Sequence, residues 1–195
     1  APATVYVDDS YVFPVCGTHI CGYDAFTKVE EGVAAVAAGG TVNVAEGTYS
    51  VTSTILVNKA MTITGPVAGG AVIQGTTTSF VSIFDITASN VTLQNLEVTH
   101  NALRTFATSP TPWTELANSL VKITTGTNLS GIVINNNKIF VPLQSGAMST
   151  WNGVALTVGS DTVTGLSITN NEIYNTRNGI VNKNRVTVTL SGNTI

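Results

Sequence analysis

Charged residues are scarce in this sequence. Only 10% of its 195 residues are Asp, Glu, Lys or Arg, whereas an average globular domain has about 25%. The net charge is −3 and no run of basic residues occurs, so the electrostatic surface that nucleic-acid binding requires is missing. The sequence therefore predicts no nucleic-acid partner.

Long apolar segments and cysteines are also few. No apolar segment approaches the roughly 20 residues that span a bilayer, so we predict no transmembrane segment. The only cysteines are Cys16 and Cys21, and their spacing favours a disulfide that closes a short loop in an extracellular compartment. Free thiols are one alternative. A zinc site that includes His19 is another, but it lacks a convincing fourth ligand.

The beginning of the chain, APATVYVDD, contains no apolar region of a signal peptide. It is typical of the residues that remain after cleavage at a small-residue site. Together with the disulfide, this predicts a secreted or cell-surface protein.

What the sequence has in abundance is a short pattern of alternating apolar and polar residues. Its copies are VTLQNLEV (91–98), IVINNNKI (132–139), LSITNNEI (166–173) and VTLSGNTI (188–195). Alternation predicts a half-buried strand. Asparagine tolerates the left-handed backbone of a sharp bend, so each copy predicts a strand, a corner and a second strand.

The copies share one frame of apolar anchors. The first anchors are Leu93, Ile134, Ile168 and Leu190, and the second are Val98, Ile139, Ile173 and Ile195. The first anchors are 41, 34 and 22 residues apart, which indicates a coil of about 20–22 residues enlarged by insertions. Leucine-rich repeats need a Leu-rich consensus and a helix that are absent. A parallel β-helix, with coils about 4.8 Å apart, fits better.

Stacked coils place equivalent side chains in columns. Glu97, Lys138 and Glu172 share one offset, so we expect a column of alternating charge on the outer face, solvated rather than catalytic. Asn136 and Asn170 share a second offset. We expect their side-chain amides to pair with each other in the interior or at the corner, because an unpaired buried amide costs about 1–3 kcal/mol.

An amphipathic helix is predicted before the first coil. The sequence YDAFTKVEEGVAAVAAGG places apolar residues at helical spacing, with Asp24 as its N-cap and Gly39–Gly40 as its end. The apolar positions are Phe26, Val29, Val33 and Val36. Such a helix would cover the open end of the coils.

The segment from VYVDDS through AFTKVEEGVAAVAAGGTVNVAEGTYSVTSTILVNKAMTITGPVAGGAVIQG resembles the start of the pectin-lyase-like, right-handed parallel β-helix superfamily. The resemblance implies one domain over residues 1–195, all-β, with an N-terminal segment and capping helix in 1–40 and about five coils in 41–195. Insertions fall at 99–118 and 142–152. The scaffold hosts lyases, hydrolases, adhesins and fibre proteins, so it does not imply one function.

Polysaccharide-cleaving members of that superfamily imply an acidic calcium cluster with an Arg or Lys base, or clustered aspartates with a histidine. No carboxylates of this chain form a close repeated pair within the coils. Asp85 and Lys122 occupy equivalent positions, which predicts a pair between coils. We therefore predict no catalytic residues, no metal and no cofactor, and an enzyme, if this is one, would be a polysaccharide lyase.

The two insertions predict a binding site for a glycan or partner, because they interrupt the same corner of successive coils. Aromatic rings beside Arg and Glu suit sugar stacking or a protein partner. The candidate residues are His100, Arg104, Phe106, Trp113, Glu115 and Trp151. The alternative is a small satellite core in which the tryptophans fold over the coils.

Two sequons, at Asn90 and Asn128, permit N-glycosylation. The sequence stops at TLSGNTI, within the repeated pattern, which predicts either a longer protein or completion of the surface by another copy of the chain. The leading functional hypothesis is an extracellular structural or adhesive β-helix that associates with copies of itself at the cell surface, in a filament or in a sheath. A pectate-lyase-like enzyme and a polysaccharide-binding module are the alternatives.

Overall fold

The computed structural model describes residues 1–67, 69–77, 82–101, 118–124, 128–142, 151–156, 162–182 and 186–195. These residues form nineteen strands and one helix, α1 (Val29–Ala35). In chain order the strands are β1 (Thr4–Val7), β2 (Ala25–Phe26), β3 (Gly40–Val44), β4 (Gly47–Val51), β5 (Ile55–Val57), β6 (Met61–Thr64), β7 (Ala71–Gly75), β8 (Ser82–Ile86), β9 (Val91–Gln94), β10 (Glu97–His100), β11 (Ser119–Ile123), β12 (Leu129–Ser130), β13 (Val133–Asn135), β14 (Lys138–Phe140), β15 (Asn152–Leu156), β16 (Val163–Thr169), β17 (Glu172–Tyr174), β18 (Ile180–Asn182) and β19 (Val186–Ser191).

The strands belong to three sheets. The first sheet has the order β12-β16-β13-β9-β6-β3-β1-β2, with β19 also paired to β16. The second has the order β17-β14-β10-β7-β4 and the third β18-β15-β11-β8-β5. The pairings between these strands are parallel. The prediction of an all-β chain with parallel strands is confirmed.

The chain visits the three sheets in a fixed order. After β3 in the first sheet it forms β4 in the second and β5 in the third, and it returns to the first sheet at β6, which pairs with β3. The cycle repeats up to β19, with both β12 and β13 in the first sheet on one passage. We call one passage through the three sheets a rung. Equivalent residues of successive rungs therefore lie opposite each other.

The predicted columns of apolar anchors are present. In the first sheet, Ile134 lies opposite Leu93 on one side and Ile168 on the other, and Ile168 lies opposite Leu190. Leu93, Ile134 and Ile168 are buried, whereas Leu190 is 55% exposed. In the second sheet, the buried residues Val98, Ile139 and Ile173 form a matching column. The predicted fourth member, Ile195, is 71% exposed and lies in no strand, so it is not a buried anchor.

Inward-facing side chains of all three sheets meet in one apolar cluster that extends from Val5 to Ile173. Most of its members are Val, Ile and Leu. Val and Ile side chains are branched at Cβ and pack well on a pleated surface, which favours strands at these positions. The core thus runs continuously through the successive rungs.

The predicted ion pair between neighbouring rungs is also present. Asp85 on β8 lies opposite Lys122 on β11, and the Lys122 Nζ is 3.2 Å from the Asp85 Oδ2. The Thr124 hydroxyl donates to the other carboxylate oxygen of Asp85. Both charged side chains are less than one fifth exposed.

The helix α1 exists where it was predicted but is shorter. Val29, Val33 and Val36 are buried as expected, and α1 packs against β5, the edge strand of the third sheet, and against β1. The predicted end at Gly39–Gly40 is wrong, because Val36 is already the C-cap and has extended backbone angles. With seven residues, the one helix of the described parts of the chain is too short to cross a membrane.

The predicted N-cap, Asp24, is wrong. The helix is preceded by Lys28, whose side chain makes no capping hydrogen bond. Asp24 instead accepts a hydrogen bond from the backbone N–H of Ile20, at 2.6 Å. The chain stays extended after Asp24 because β2 pairs with β1, and this delays the first helical turn.

Candidate functional site

The corner between the first and second sheets is built from left-handed residues. Asn95, Asn136 and Asn170 have φ angles of 59°, 53° and 57°, and Gly192 has a φ of 65°. Each follows a strand of the first sheet. The left-handed region is open to Gly and tolerable for Asn. The predicted asparagine bend is therefore confirmed.

The amide pairing predicted for Asn136 with Asn170 is wrong. The Asn136 Nδ2 donates to the Asn95 Oδ1 at 2.8 Å, whereas the Asn170 Nδ2 donates to the Asn135 Oδ1 at 2.9 Å. Both Asn136 and Asn170 are exposed. Their left-handed backbone turns the chain at the surface, so their side chains do not reach the interior.

The buried connection between rungs is made by the next residue along the chain. The Oδ1 of Asn171 accepts from the backbone N–H of Asn137, and its Nδ2 donates to the carbonyl of Ile134, both at 2.9 Å. The side chains of Asn137 and Asn193 make the same two kinds of bond one rung earlier and one rung later. We call Asn137, Asn171 and Asn193 the asparagine ladder. It satisfies backbone groups that would otherwise be buried without partners.

The predicted column of alternating charge lies just past this corner, on the outer face of the second sheet. Lys138 on β14 lies opposite Glu97 on β10 and Glu172 on β17. Two residues further along the strands, the rings of Phe140 and Tyr174 stack with a centroid distance of 4.9 Å and an interplanar angle of 5°. The predicted arrangement of the column is confirmed, and the aromatic pair beside it extends the surface.

The neighbours of Lys138 favour its charged form. Hydrogen bonding with the Tyr174 hydroxyl is the main reason that the pKa of Lys138 lies above its ordinary value, and the negative charges of Glu97 and Glu172 raise it further. Its Nζ is 5.5 Å from the ring centroid of Phe140 and 5.8 Å from that of Tyr174, within the range of a cation–π contact.

Two clefts open along this corner. One, of about 330 Å³, has walls that include Asn95, Asn136, Asn170, Glu97, Lys138 and Glu172, and we call it the glutamate cleft. The other, of about 230 Å³, has walls that include Tyr6, Asp8, Tyr11, Asn43, Thr64 and Pro66, and we call it the tyrosine cleft. Pro66 lines the tyrosine cleft and the next residue, Val67, lines the glutamate cleft. The two clefts therefore adjoin along one edge of the molecule.

The tyrosine cleft combines aromatic rings with polar groups. The ring of His19 stacks on that of Tyr6 at a centroid distance of 3.8 Å, which fixes one wall. Asp8 accepts hydrogen bonds from the backbone and hydroxyl of Ser10. Burial, followed by the charge of Asp8, raises the pKa of Tyr11, which favours the neutral phenol.

The site predicted in the two insertions is described only in part. Arg104, Phe106, Trp113 and Glu115 lie outside the described residues. His100 and Trp151 are brought together, with ring centroids 4.1 Å apart and an interplanar angle of 25°. Both are almost completely buried, at 0% and 1% exposed. Trp151 is part of the main apolar cluster, so it belongs neither to an exposed binding surface nor to a separate satellite core, and the rest of the predicted site stays a prediction.

The space for this stack depends on a glycine. Gly75 lies opposite His100 in the second sheet. A Cβ at Gly75 would come within 2.3 Å of the His100 ring and 2.6 Å of Ile83. The absence of a side chain at Gly75 therefore lets the imidazole enter the interior and contact Trp151.

The remaining predicted residues lie outside the corner. Cys16 and Cys21 form a disulfide, with Cα atoms 5.5 Å apart, so the zinc and free-thiol alternatives are wrong. Asn90 and Asn128 are exposed, and the Asn128 Oδ1 accepts from the backbone and hydroxyl of Thr162 at 3.0 Å. Their glycosylation stays a prediction.

No protein-family model, no curated protein and no solved structure matches this chain. Within the described residues, no group of three His, Cys, Asp or Glu side chains is placed to hold a metal ion. The corner residues Tyr6, Asp8, Tyr11 and Asn43 were missed from the sequence, where the only signal was the outward position of Tyr6 and Asn43 in alternating strands.

Proposed function

We propose that this chain is an extracellular parallel β-helix of the adhesive or structural type, and that it binds a polysaccharide along the corner between its first and second sheets. The observation that carries the proposal is the adjacency of the tyrosine and glutamate clefts on one edge. Together they place amides, carboxylates, a lysine and aromatic rings along a single line.

The β-helix assignment is supported by the cyclic order of the sheets. Each passage of the chain adds one parallel strand to each sheet in turn, and the anchors of successive passages are in register. A coil that winds around one core produces this pattern. The right-handed sense comes from the resemblance of residues 5–75 to pectin-lyase-like proteins.

A sugar polymer suits the corner for two reasons. Side-chain amides and carboxylates are well placed to bond to hydroxyl groups because both accept, and the amides also donate, while aromatic rings supply apolar contact area with a polar edge. In addition, the corner repeats with the spacing of parallel strands. From Tyr6 to Asn170 it extends over roughly 25 Å, long enough for several sugar units of an extended chain.

Binding to soluble polysaccharides, measured by calorimetry, tests the proposal. One variant in each cleft, Lys138→Met and Tyr11→Ala, should weaken binding about fivefold, since each loses a polar contact of about 1 kcal/mol. The matched controls are Lys28→Met, whose side chain is 60% exposed just before the helix, and Tyr23→Ala, whose residue is 53% exposed in the N-terminal segment. These controls should bind as the parent chain does.

Equal affinity of the cleft variants and their controls would contradict the corner as the site, and so would a lack of binding across neutral, acidic and amino polysaccharides. Urea unfolding of each variant separates a lost contact from a lost fold. Release of reducing ends or of unsaturated products would contradict the non-catalytic assignment. If Arg104→Ala abolished that turnover, a polysaccharide lyase would become the better interpretation.

Secretion and self-association complete the proposal. The Cys16–Cys21 disulfide supports an oxidising compartment. For self-association, light scattering over a range of concentrations is the direct test. A molecular mass equal to that of one chain at every concentration would exclude the filament or sheath.

A further inference from the structure

The outer face of the first sheet carries two regular columns of uncharged side chains, all of which the structure describes. One column consists of Thr4, Thr41, Thr62, Thr92, Val133, Ser167 and Thr189. The other consists of Tyr6, Asn43, Thr64, Gln94, Asn135, Thr169 and Ser191. We call this surface the hydroxyl face. We infer that it binds ice, as a second activity beside the polysaccharide binding proposed at the corner, with which it shares Tyr6, Asn43 and Thr64 of the tyrosine cleft.

The hydroxyl face is ordered in two directions. Along each column, neighbours lie opposite each other in parallel strands, so they are about 4.8 Å apart. Across the columns, the side chains are two residues apart on one strand, which corresponds to about 6.6 Å. The register is unbroken from β1 to β16, and the shift between Val163 and Leu166 lies in the pairing of β16 with β19. The result is a two-dimensional array of uncharged side chains, with Val133 as its one aliphatic member, rather than a linear groove.

The hydroxyls of the first column are available to solvent. Thr41, Thr62 and Thr92 are partly exposed, and none of their hydroxyls bonds to another described residue. In the second column the polar groups are fixed by one another. The Gln94 Nε2 donates to the Thr64 Oγ1 at 3.4 Å, and the Thr169 hydroxyl donates to the Asn135 Oδ1 at 3.0 Å.

Threonine suits an ordered array because its branched Cβ restricts χ1. A hydroxyl that is already fixed loses little conformational entropy when its partner binds. Each threonine also places a methyl group beside its hydroxyl, so the surface alternates polar and apolar atoms. A water layer on such a surface is held at fixed points without the strong local hydration that a charge would impose.

Other classes of partner fit this face poorly. A protein partner would need an apolar centre with aromatic anchors, and nucleic acid would need basic side chains. A single sugar chain would need aromatic platforms along its length, and the two columns contain one ring, that of Tyr6, at one end of the face. A neutral lattice of donors and acceptors is complementary to a neutral lattice of the same kind. Ice is such a lattice, made of water alone.

Thermal hysteresis and the shape of growing ice crystals, measured with the purified full chain, test this inference. We expect faceted crystals and a measurable hysteresis gap at millimolar protein. A lysine in the middle of the face, in Thr62→Lys or Thr92→Lys, should reduce the gap about tenfold, since it holds water by charge at a lattice point. The matched control is Leu56→Lys, at a residue that is 50% exposed on the outer face of the third sheet. It should leave the gap unchanged.

A second pair of variants protects the test against loss of folding. Thr62→Val and Thr92→Val keep the branched shape and remove only the hydroxyl, and they should reduce the gap while their urea midpoints stay within error of the parent chain. Round crystals without hysteresis would overturn the inference, as would equal activity of Thr62→Lys and Leu56→Lys. Binding to microcrystalline cellulose that Thr92→Lys abolishes, without any effect on ice, would assign the face to a crystalline polysaccharide and also overturn it.

Discussion

Two adjacent asparagines at the same corner have opposite roles. Asn170 is exposed and left-handed, and it turns the chain from the first sheet into the second. Asn171 is buried, and its amide bonds to the backbone of the preceding rung and to the side chain of Asn193 in the following rung. The first position requires a backbone conformation, and the second requires a pair of hydrogen-bonding groups. The same residue type therefore recurs at both positions for unrelated reasons.

The largest effect should follow from Asn171→Ala. This change leaves the buried N–H of Asn137 without its acceptor and removes one donor from the carbonyl of Ile134, so we expect a loss of about 3 kcal/mol in the free energy of unfolding. Urea unfolding followed by circular dichroism measures it. A loss below about 1 kcal/mol would mean that water replaces the amide. The buried Asn171 would then contribute no more to stability than the exposed Asn170.

The comparison of a buried with an exposed side chain also applies to tyrosines, where it concerns the pH dependence of stability. Tyr49 is 4% exposed, its hydroxyl donates to the carbonyls of Val7 and Ala45, and burial followed by the charge of Asp9 raises its pKa. A raised folded-state pKa gives stability that is complete below the unfolded value of about 10 and is lost as pH rises through the folded value. At neutral pH, Tyr49→Phe should cost about 1 kcal/mol.

Above pH 10 or so, where unfolded tyrosine ionises, the parent chain should lose stability more steeply than Tyr49→Phe. Urea midpoints at several alkaline pH values provide the measurement. Tyr23→Phe, at a residue that is 53% exposed, is the matched control and should follow the parent chain. Parallel pH profiles of the parent and Tyr49→Phe would contradict the role assigned to burial.

Among the exposed asparagines, Asn136→Gly should give the smallest effect of these variants. Asn136→Ala should cost about 1 kcal/mol, because alanine at a φ of 53° is strained. Asn136→Gly should be within about 0.5 kcal/mol of the parent, since glycine adopts this region freely. Gly192 already stands at the equivalent position. If both variants lost equal stability, the bond from Asn136 to Asn95 rather than the backbone would be the requirement.

The sequence was sufficient to predict the columns of stacked side chains, but it was not sufficient to predict which side chains face inward at the corner. Alternation with a common frame placed Leu93, Ile134 and Ile168 in one line because the period of a strand is two residues. It also paired Asp85 with Lys122. The alternation is interrupted at a bend, so alternation alone does not show which of two adjacent asparagines faces inward. The asparagine that recurs at 137, 171 and 193 indicates the inward position. It lies one residue beyond the predicted pair, Asn136 and Asn170.

The candidate site was predicted least well. Residues 8–24 belong to no repeat, so nothing in the sequence placed Tyr11 beside Tyr6 and Asn43. Trp151 has the residue type of a sugar platform, but residue type does not report burial, and its ring is enclosed with that of His100. The prediction of Asp24 as the N-cap was wrong because the local sequence pattern does not reveal the pairing of β2 with β1.

The parallel pairing of successive rungs has a kinetic consequence. Residues that face each other across neighbouring strands, such as Thr62 and Thr92 or Thr92 and Val133, are separated by whole passages of the chain, so no strand finds its partner through a tight hairpin. Every pairing requires closure of a long loop, which slows folding. Once one rung has formed, however, its edge is a template for the next, and we expect growth by successive addition to follow a slow first step.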